Sequence, residues 1–423
     1  MELYSALSLL VVLAAAFAYV NHRYMRLPTT IGLMVLGLAS SLLVVGLGRL
    51  GVVPILDLGK LVRSLDFSEL LMEVMLGFLL FAGALHTDVR SLGQERGAVA
   101  SLALVGTVLS TLLVAGAMYK LLPLVGLGLP FIDCLLFGAL ISPTDPIAVL
   151  GILRQARIPP QLEIRVVGES LFNDGVGVVI FMSLLQVAHQ GADSLSASDM
   201  AGLFAREAVG GVLLGAGLGF AGYWLLRSID QYQVEVLITL ALVMGGTALA
   251  GGLHTSGPLA MVVAGLIIGT KGRAKGMSDV TREYLDKFWE LVDEVLNALL
   301  FVLIGLEMLV LHFERLYLAV GLGVVLVVLA IRALSVGLPL ALLRPQQRYG
   351  LKGLAVLTWG GLRGGISVAL ALSLPTALAS RDMLIGITYV VVVFSILVQG
   401  LSIGKLVQRL GLAGQGPASD GHH

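Results

Sequence analysis

Apolar residues run along this chain in long blocks, at 3–20, 28–48, 69–86, 98–120, 131–153, 164–188, 207–226, 234–250, 258–270, 288–311, 316–343, 353–374 and 383–404, separated by short polar or Pro/Gly breaks. A helix needs about 20 apolar residues to cross the hydrocarbon core of a bilayer, whereas a barrel strand needs about 10 with strict alternation. Continuous runs such as Leu3 to Val20 specify helices. The pattern predicts an all-α polytopic membrane protein with thirteen transmembrane helices. Two runs are interrupted: the fifth carries Ser142-Pro143-Thr144-Asp145-Pro146 and the twelfth Gly360-Gly361-Leu362-Arg363-Gly364-Gly365. Proline removes amide donors and glycine permits unusual dihedrals, so both spans are expected to unwind there. Such backbone survives in a bilayer only where protein buries it or where it lines a cavity.

Spans five and twelve are seven apart, so alternation makes them run in opposite directions. That is the relation an inverted repeat of spans 4–6 and 11–13 requires, and it is transporter architecture. Orientation follows from the basic residues, which accumulate in cytoplasmic loops. With the N-terminus outside and the C-terminus inside, eighteen of the 27 lysines and arginines fall in inside loops. Only Arg49, Lys60, Arg63, Lys120, Arg206, Arg315 and Arg381 fall outside, and Arg332 and Arg363 lie within spans. Because the basic residues follow the first apolar run, that run reads as a retained, N-out helix rather than a cleaved signal peptide.

Composition agrees: 57% of the residues are hydrophobic and 13% charged, against about 25% charged in ordinary soluble domains. The formal net charge of zero offers no basic surface for nucleic acid, and the single cysteine, Cys134, makes no internal disulfide. Short connections and the absence of a Walker-type phosphate loop leave no nucleotide site, so an ATP-driven pump is not expected. The Gly/Ser-rich end from 411 to 423 is expected to be a disordered cytoplasmic tail.

An ionisable residue at mid-membrane costs about 2.5–3.5 kcal/mol on insertion scales, so such residues pair, face a wet cavity or do the work. Those taken as lying in the membrane are Glu73, Asp145, Glu169, Asp174, Glu294, Glu307, Arg332 and Arg363. Helical spacing places Ser170 and Asp174 at i,i+4 with Asn173 beside them, and turns Glu169 about 140° away from Asp174. Glu169 therefore reads as half of a buried structural ion pair with Arg332, and Asp174 as the chemistry. Hydroxyl, amide and carboxylate oxygens together suit a hard cation. Asp145 and Arg363, one at each break, would offset the opposed half-helix dipoles. The glycines at 211, 215 and 219 read as close helix packing.

In combination, Ser142-Pro143-Thr144-Asp145-Pro146, Gly168-Glu169-Ser170-Leu171-Phe172-Asn173-Asp174, Gly360-Gly361-Leu362-Arg363-Gly364-Gly365 and Arg332 resemble the NhaP-type sodium/proton antiporters of the monovalent cation/proton antiporter superfamily, related to animal sodium/proton exchangers. The resemblance covers nearly the whole chain. It implies a homodimer in a prokaryotic plasma membrane, acting as a carrier and not as an enzyme. Residues 98–188 and 312–410 would form a six-helix ion-transport core. Residues 1–97 and 227–311 would form the dimerisation domain, with 189–226 as a linker helix. It further implies that Asp174 takes either the cation or the proton. The Thr144 carbonyl, Ser170 and Glu73 would help hold sodium or lithium, and Asn173 would keep the site in shape. Asn at 173 implies electroneutral exchange of one sodium for one proton. No cofactor is implied beyond the transported ions.

The mechanism expected is competition: a carboxylate partly out of water is held by a proton or by a cation, never both. Potassium/proton antiport and a cation channel or uniporter stay open, because ligand types fix hardness and not cavity size. An intramembrane aspartyl protease using Asp145 and Asp174 fits less well, since neither aspartate lies in Gly-x-Gly-Asp.

Overall fold

A computed structural model describes residues 2–49, 67–190, 197–273, 276–309, 315–342 and 350–414. Lys60 and Arg63, the inside-loop residues Lys275, Arg344 and Arg348, and the tail from 415 lie outside the described residues. Among the described residues there are helices and no strands. In chain order those of eight residues or more are α1 (Glu2–Val20), α2 (Thr29–Arg49), α3 (Phe67–Leu85), α4 (Arg96–Val125), α5 (Phe131–Ile141), α6 (Ile147–Gln155), α7 (Pro160–Gln190), α8 (Ala197–Arg227), α9 (Tyr232–Gly252), α10 (Gly257–Ile267), α11 (Asp279–Glu307), α12 (Arg315–Leu342), α13 (Gly350–Trp359), α14 (Gly365–Leu372) and α15 (Arg381–Arg409). Nine of them, α1–α4, α7–α9, α12 and α15, are long and apolar enough to cross a membrane.

Helix starts follow local chemistry. Pro160 opens α7, where its missing amide costs nothing. The hydroxyls of Ser256 and Ser278 accept the Leu259 and Thr281 amides at the heads of α10 and α11. The two interrupted runs form helix pairs: α5 stops at Ile141 and α6 begins at Ile147, while α13 stops at Trp359 and α14 begins at Gly365. At about 1.5 Å per residue, the 11 residues of α5 rise roughly 16 Å, about half a hydrocarbon core.

Glycines set the closest approaches between helices. A Cβ at Gly215 would lie 2.8 Å from the Ala260 Cα, and one at Gly219 would lie 3.1 Å from the Ala264 Cα, so α8 packs directly on α10. Gly37 of α2 and Gly305 of α11 touch backbone to backbone, and the Ser41 hydroxyl donates to the Gly305 carbonyl at 2.8 Å. Outward faces keep large apolar residues exposed, Trp224, Leu237, Met244 and Leu326 among them, as a helix meeting lipid requires. The end of the chain corrects one expectation. Residues 411–414 pack rather than begin a disordered tail: Leu412 is buried, and the Gly414 amide donates to the Ala156 carbonyl at 3.0 Å. An apolar side chain one turn past α15 has a surface to cover there.

Candidate functional site

The two helix breaks meet. The Asp145 amide donates to the Leu362 carbonyl at 2.8 Å, a main-chain bond joining the first break to the second. The break glycines correct the dihedral expectation. Among the described residues, the glycines with positive φ are Gly126, Gly350, Gly411 and Gly414, and none of these lies in 360–365. Size is what position 361 and its neighbours require. A Cβ on Gly361 would fall 2.5 Å from the Arg332 Nε, one on Gly364 would overlap the Asp145 carboxylate, and one on Gly365 would press into Leu300. Gly364→Ala is therefore expected to destabilise the protein by about 1–3 kcal/mol through overpacking and to depress transport by displacing Asp145. A thermal melt together with a flux assay checks both effects.

Every polar group of Thr144, in the first break, is held by α7. The Asn173 amide group donates from Nδ2 to the Thr144 Oγ1 at 2.8 Å, and its Oδ1 accepts the Thr144 backbone amide at 3.3 Å. The Ser170 hydroxyl donates to the Thr144 carbonyl. Ser142 is satisfied within the bundle: its hydroxyl donates to the Gly138 carbonyl at 2.6 Å and lies within hydrogen-bond distance of the Ser110 hydroxyl, at 3.0 Å. A glycine at 177 lets the Pro143 ring lie against α7, since any Cβ there would overlap it.

The charges sit at the broken ends. The Asp145 Oδ1 accepts the Ile147 amide at 2.9 Å, at the N-terminus of α6. Arg363 reaches across from the second break and donates from Nη1 to the Ser142 and Pro143 carbonyls at 2.7 and 3.0 Å, at the C-terminus of α5. Anion at an N-terminus and cation at a C-terminus are the favourable placements. Glu169, on α7, and Arg332, on α12, form a two-pronged ion pair with both residues buried. The second prong measures 2.8 Å, and its nitrogen also donates to the Leu357 carbonyl at 3.2 Å.

Asp174 differs from all of these. It is 8% exposed, and its Oδ1 is buried with no hydrogen-bond partner among the described residues. Its electrostatic neighbours are the carboxylates of Asp145 and Glu169, both of its own sign. Arg363, at the same crossing, is committed to backbone carbonyls. The structure thus brings Asp174, Asn173, Ser170, Thr144 and Asp145 together beside the Glu169–Arg332 pair, and it does not bring Glu73. That residue lies on an exposed face of α3 and makes no hydrogen bond to the cluster among the described residues. Asp293 was missed by sequence reasoning. It is half-buried on α11, close enough to Asp145 to feel its charge, and the Asn297 side chain donates to its carbonyl at 2.8 Å. The uniformly charged first half of α11 hides it, because Asp286, Glu290 and Glu294 read alike.

A family model described as sodium/hydrogen exchanger, transmembrane, matches residues 10–409. The Na(+)/H(+) antiporter NhaP of Pseudomonas aeruginosa is 52% identical over 412 residues, covering 96% of each chain. The Na(+)/H(+) antiporter NhaH of Halobacillus dabanensis is 35% identical over 396 residues, covering 92% of this chain and 94% of that protein. Among solved structures, the sodium proton antiporter MjNhaP1 from Methanocaldococcus jannaschii superposes with a TM-score of 0.76 at 22% identity, covering 97% of this chain and 99% of that one. That last similarity bears on the fold alone.

Proposed function

The chain belongs to the transmembrane sodium/hydrogen exchanger family, and from that premise we propose that it is a sodium/proton antiporter in which the cation and the proton compete for Asp174. The observation that carries this reading is the buried, unpartnered Oδ1 of Asp174 among like charges. A carboxylate so placed needs a positive partner, and the choice between H⁺ and Na⁺ or Li⁺ is the exchange itself. The Thr144 carbonyl, the Ser170 hydroxyl and the Asp174 carboxylate are the ligands assigned to the cation. Asn173 keeps the first break in register, and Asp145 stands beside the site as the charge through which a cation approaches.

Transport follows from a rule of charge. Empty, anionic Asp174 is trapped, because moving an uncompensated charge past a low-dielectric barrier is costly. Loaded with one proton or one sodium the site is neutral and moves, so exchange is obligatory and electroneutral. The wider reading takes the thirteen runs as thirteen crossings, N-terminus outside and C-terminus in the cytoplasm, with α5–α6 and α13–α14 as the interrupted crossings of two inverted repeats. Residues 98–188 and 312–410 then form the moving core. Residues 1–97 and 227–311 form the scaffold of a homodimer in a prokaryotic plasma membrane, and 189–226 links the two. The chain acts as a carrier, without catalytic chemistry.

Purified protein in sealed liposomes with an internal pH dye tests this. External sodium or lithium is expected to drive proton efflux at a rate unchanged by a potassium/valinomycin voltage clamp. Proton efflux with potassium alone would replace the cation. Current without proton counterflow would indicate a channel, and a voltage-dependent rate would end the one-for-one stoichiometry.

A further inference from the structure

Four side-chain hydrogen bonds made by α15 lie outside the Asp174 cluster. They converge on the second helix break. Ser395 and Gln399 bracket a wide turn of α15 in which the Gly400 amide donates five residues back, to the Ser395 carbonyl. Both residues are buried, at 1% and 4% exposure. The Ser395 hydroxyl accepts the Arg363 backbone amide at 2.9 Å and donates to the Gln399 Oε1 at 2.6 Å. The Gln399 Nε2 donates to the Trp359 carbonyl, the last residue of α13, at 3.0 Å. The Trp359 indole in turn donates to the Ser402 hydroxyl one turn further along α15, at 2.8 Å. Both edges of the second break are therefore gripped by one helix.

The first break is gripped the same way, by Ser170 and Asn173 of α7. If spans 4–6 and 11–13 are inverted repeats, α7 and α15 are equivalent helices, and each carries a hydroxyl and an amide side chain aimed at the break of its own repeat. The second grip reaches the first break by two routes. Arg363, whose amide Ser395 holds, binds the Ser142 and Pro143 carbonyls that immediately precede Thr144, and the neighbouring Leu362 carbonyl receives the Asp145 amide. Thr144 thus lies between two fixed points, and its carbonyl is a ligand assigned to the cation.

We propose that Ser395 and Gln399 are positioning residues for the cation: through Arg363 and Leu362 they hold the Thr144 carbonyl at the distance sodium requires, without touching the ion themselves. Resting on the antiport reading above, this predicts a split between the two transported ions. A loosened carbonyl weakens sodium binding, while the proton, which needs only Asp174, binds as before.

The test uses full-length Gln399→Met, Ser395→Ala and Ser395→Thr in the proteoliposome assay, with melting curves for each. Gln399→Met and Ser395→Ala are expected to raise the KM for sodium about five-fold or more, with the maximal rate held within about two-fold. The pH profile at saturating sodium should not move, and Ser395→Thr, which keeps the hydroxyl, should restore the parental KM. A sodium KM within about two-fold of the parent in both loss variants overturns the proposal, as does a maximal rate that falls in step with melting temperature at constant KM. Failure of both loss variants to yield folded protein also overturns it, by making the grip a folding element. A parent protein that moves no protons with sodium defeats the antiport reading instead, whatever the variants do.

Discussion

Asp174→Asn is expected to cut cation-driven proton movement by about 100-fold or more while leaving a folded protein, because Asn neither takes up a proton nor carries the charge that recruits a cation. The structure makes this a clean substitution. Among the described residues nothing donates to the Asp174 Oδ1, so no hydrogen bond to that atom is lost. The carboxylates of Asp145 and Glu169 gain a neutral neighbour in place of a like charge. Melting temperature in detergent should therefore equal or exceed that of the parent. A second readout separates loss of binding from loss of movement. A ligand that binds only the folded state stabilises it by about RT ln(1 + [L]/Kd), so sodium should raise the parent's melting temperature and leave the variant's unchanged. Normal exchange by Asp174→Asn would remove Asp174 as the carrier.

Glu169→Ala is expected to do the reverse, harming stability first. Glu169 and the Arg332 guanidinium are both buried, and Arg332 makes both prongs of its ion pair with that carboxylate. Truncation leaves a charge in the interior with the Leu357 carbonyl as its one hydrogen-bonded partner among the described residues. Breaking a buried pair in this way costs about 3–5 kcal/mol, several times the cost of a typical surface change. Removing both charges together, as Glu169→Met with Arg332→Met, should recover much of the loss, because no unpaired charge remains. The comparison is decisive when run beside Asp174→Asn. Equal melting curves for the two single variants would contradict the division of labour between carboxylates five residues apart on α7. Loss of the fold when Gly361 is enlarged would point the same way, since its Cβ would meet the same guanidinium.

Much of this was legible without a structure. Hydropathy is a local property, so the apolar runs and the stretches that interrupt them could be read one segment at a time. Each of the thirteen runs carries helix over the described residues, the fifth and the twelfth in two pieces on either side of their breaks. The relation between Glu169 and Asp174 was equally local, since a helical step is the same everywhere and five residues place two side chains on different faces. The rarity of charge in hydrocarbon then singled out Asp145, Asp174, Arg332 and Arg363, because each must be paired, solvated or used.

What could not be read was what each of these touches. Arg363 donates to carbonyls 221 and 220 positions earlier in the chain, and no periodicity spans such a distance. The glycines at 361 and 364 were legible as breakers, yet their reason is the room they leave for Arg332 and Asp145, side chains from other helices. Glu73 carried the same signal as Asp145 in the sequence, an acid in an apolar run, and the rotation of α3 leaves it exposed. Ser395 and Gln399 are uncharged and sit in an ordinary apolar run, so the cost rule that flags acids and bases passes over them. Segment identity and the need to satisfy particular charges were thus set by the sequence itself, through the energy of moving backbone and charge into a bilayer. The crossing of the two breaks, the partner of each charge and the grip on each break were decided only by tertiary structure, because they depend on how helices remote in sequence pack.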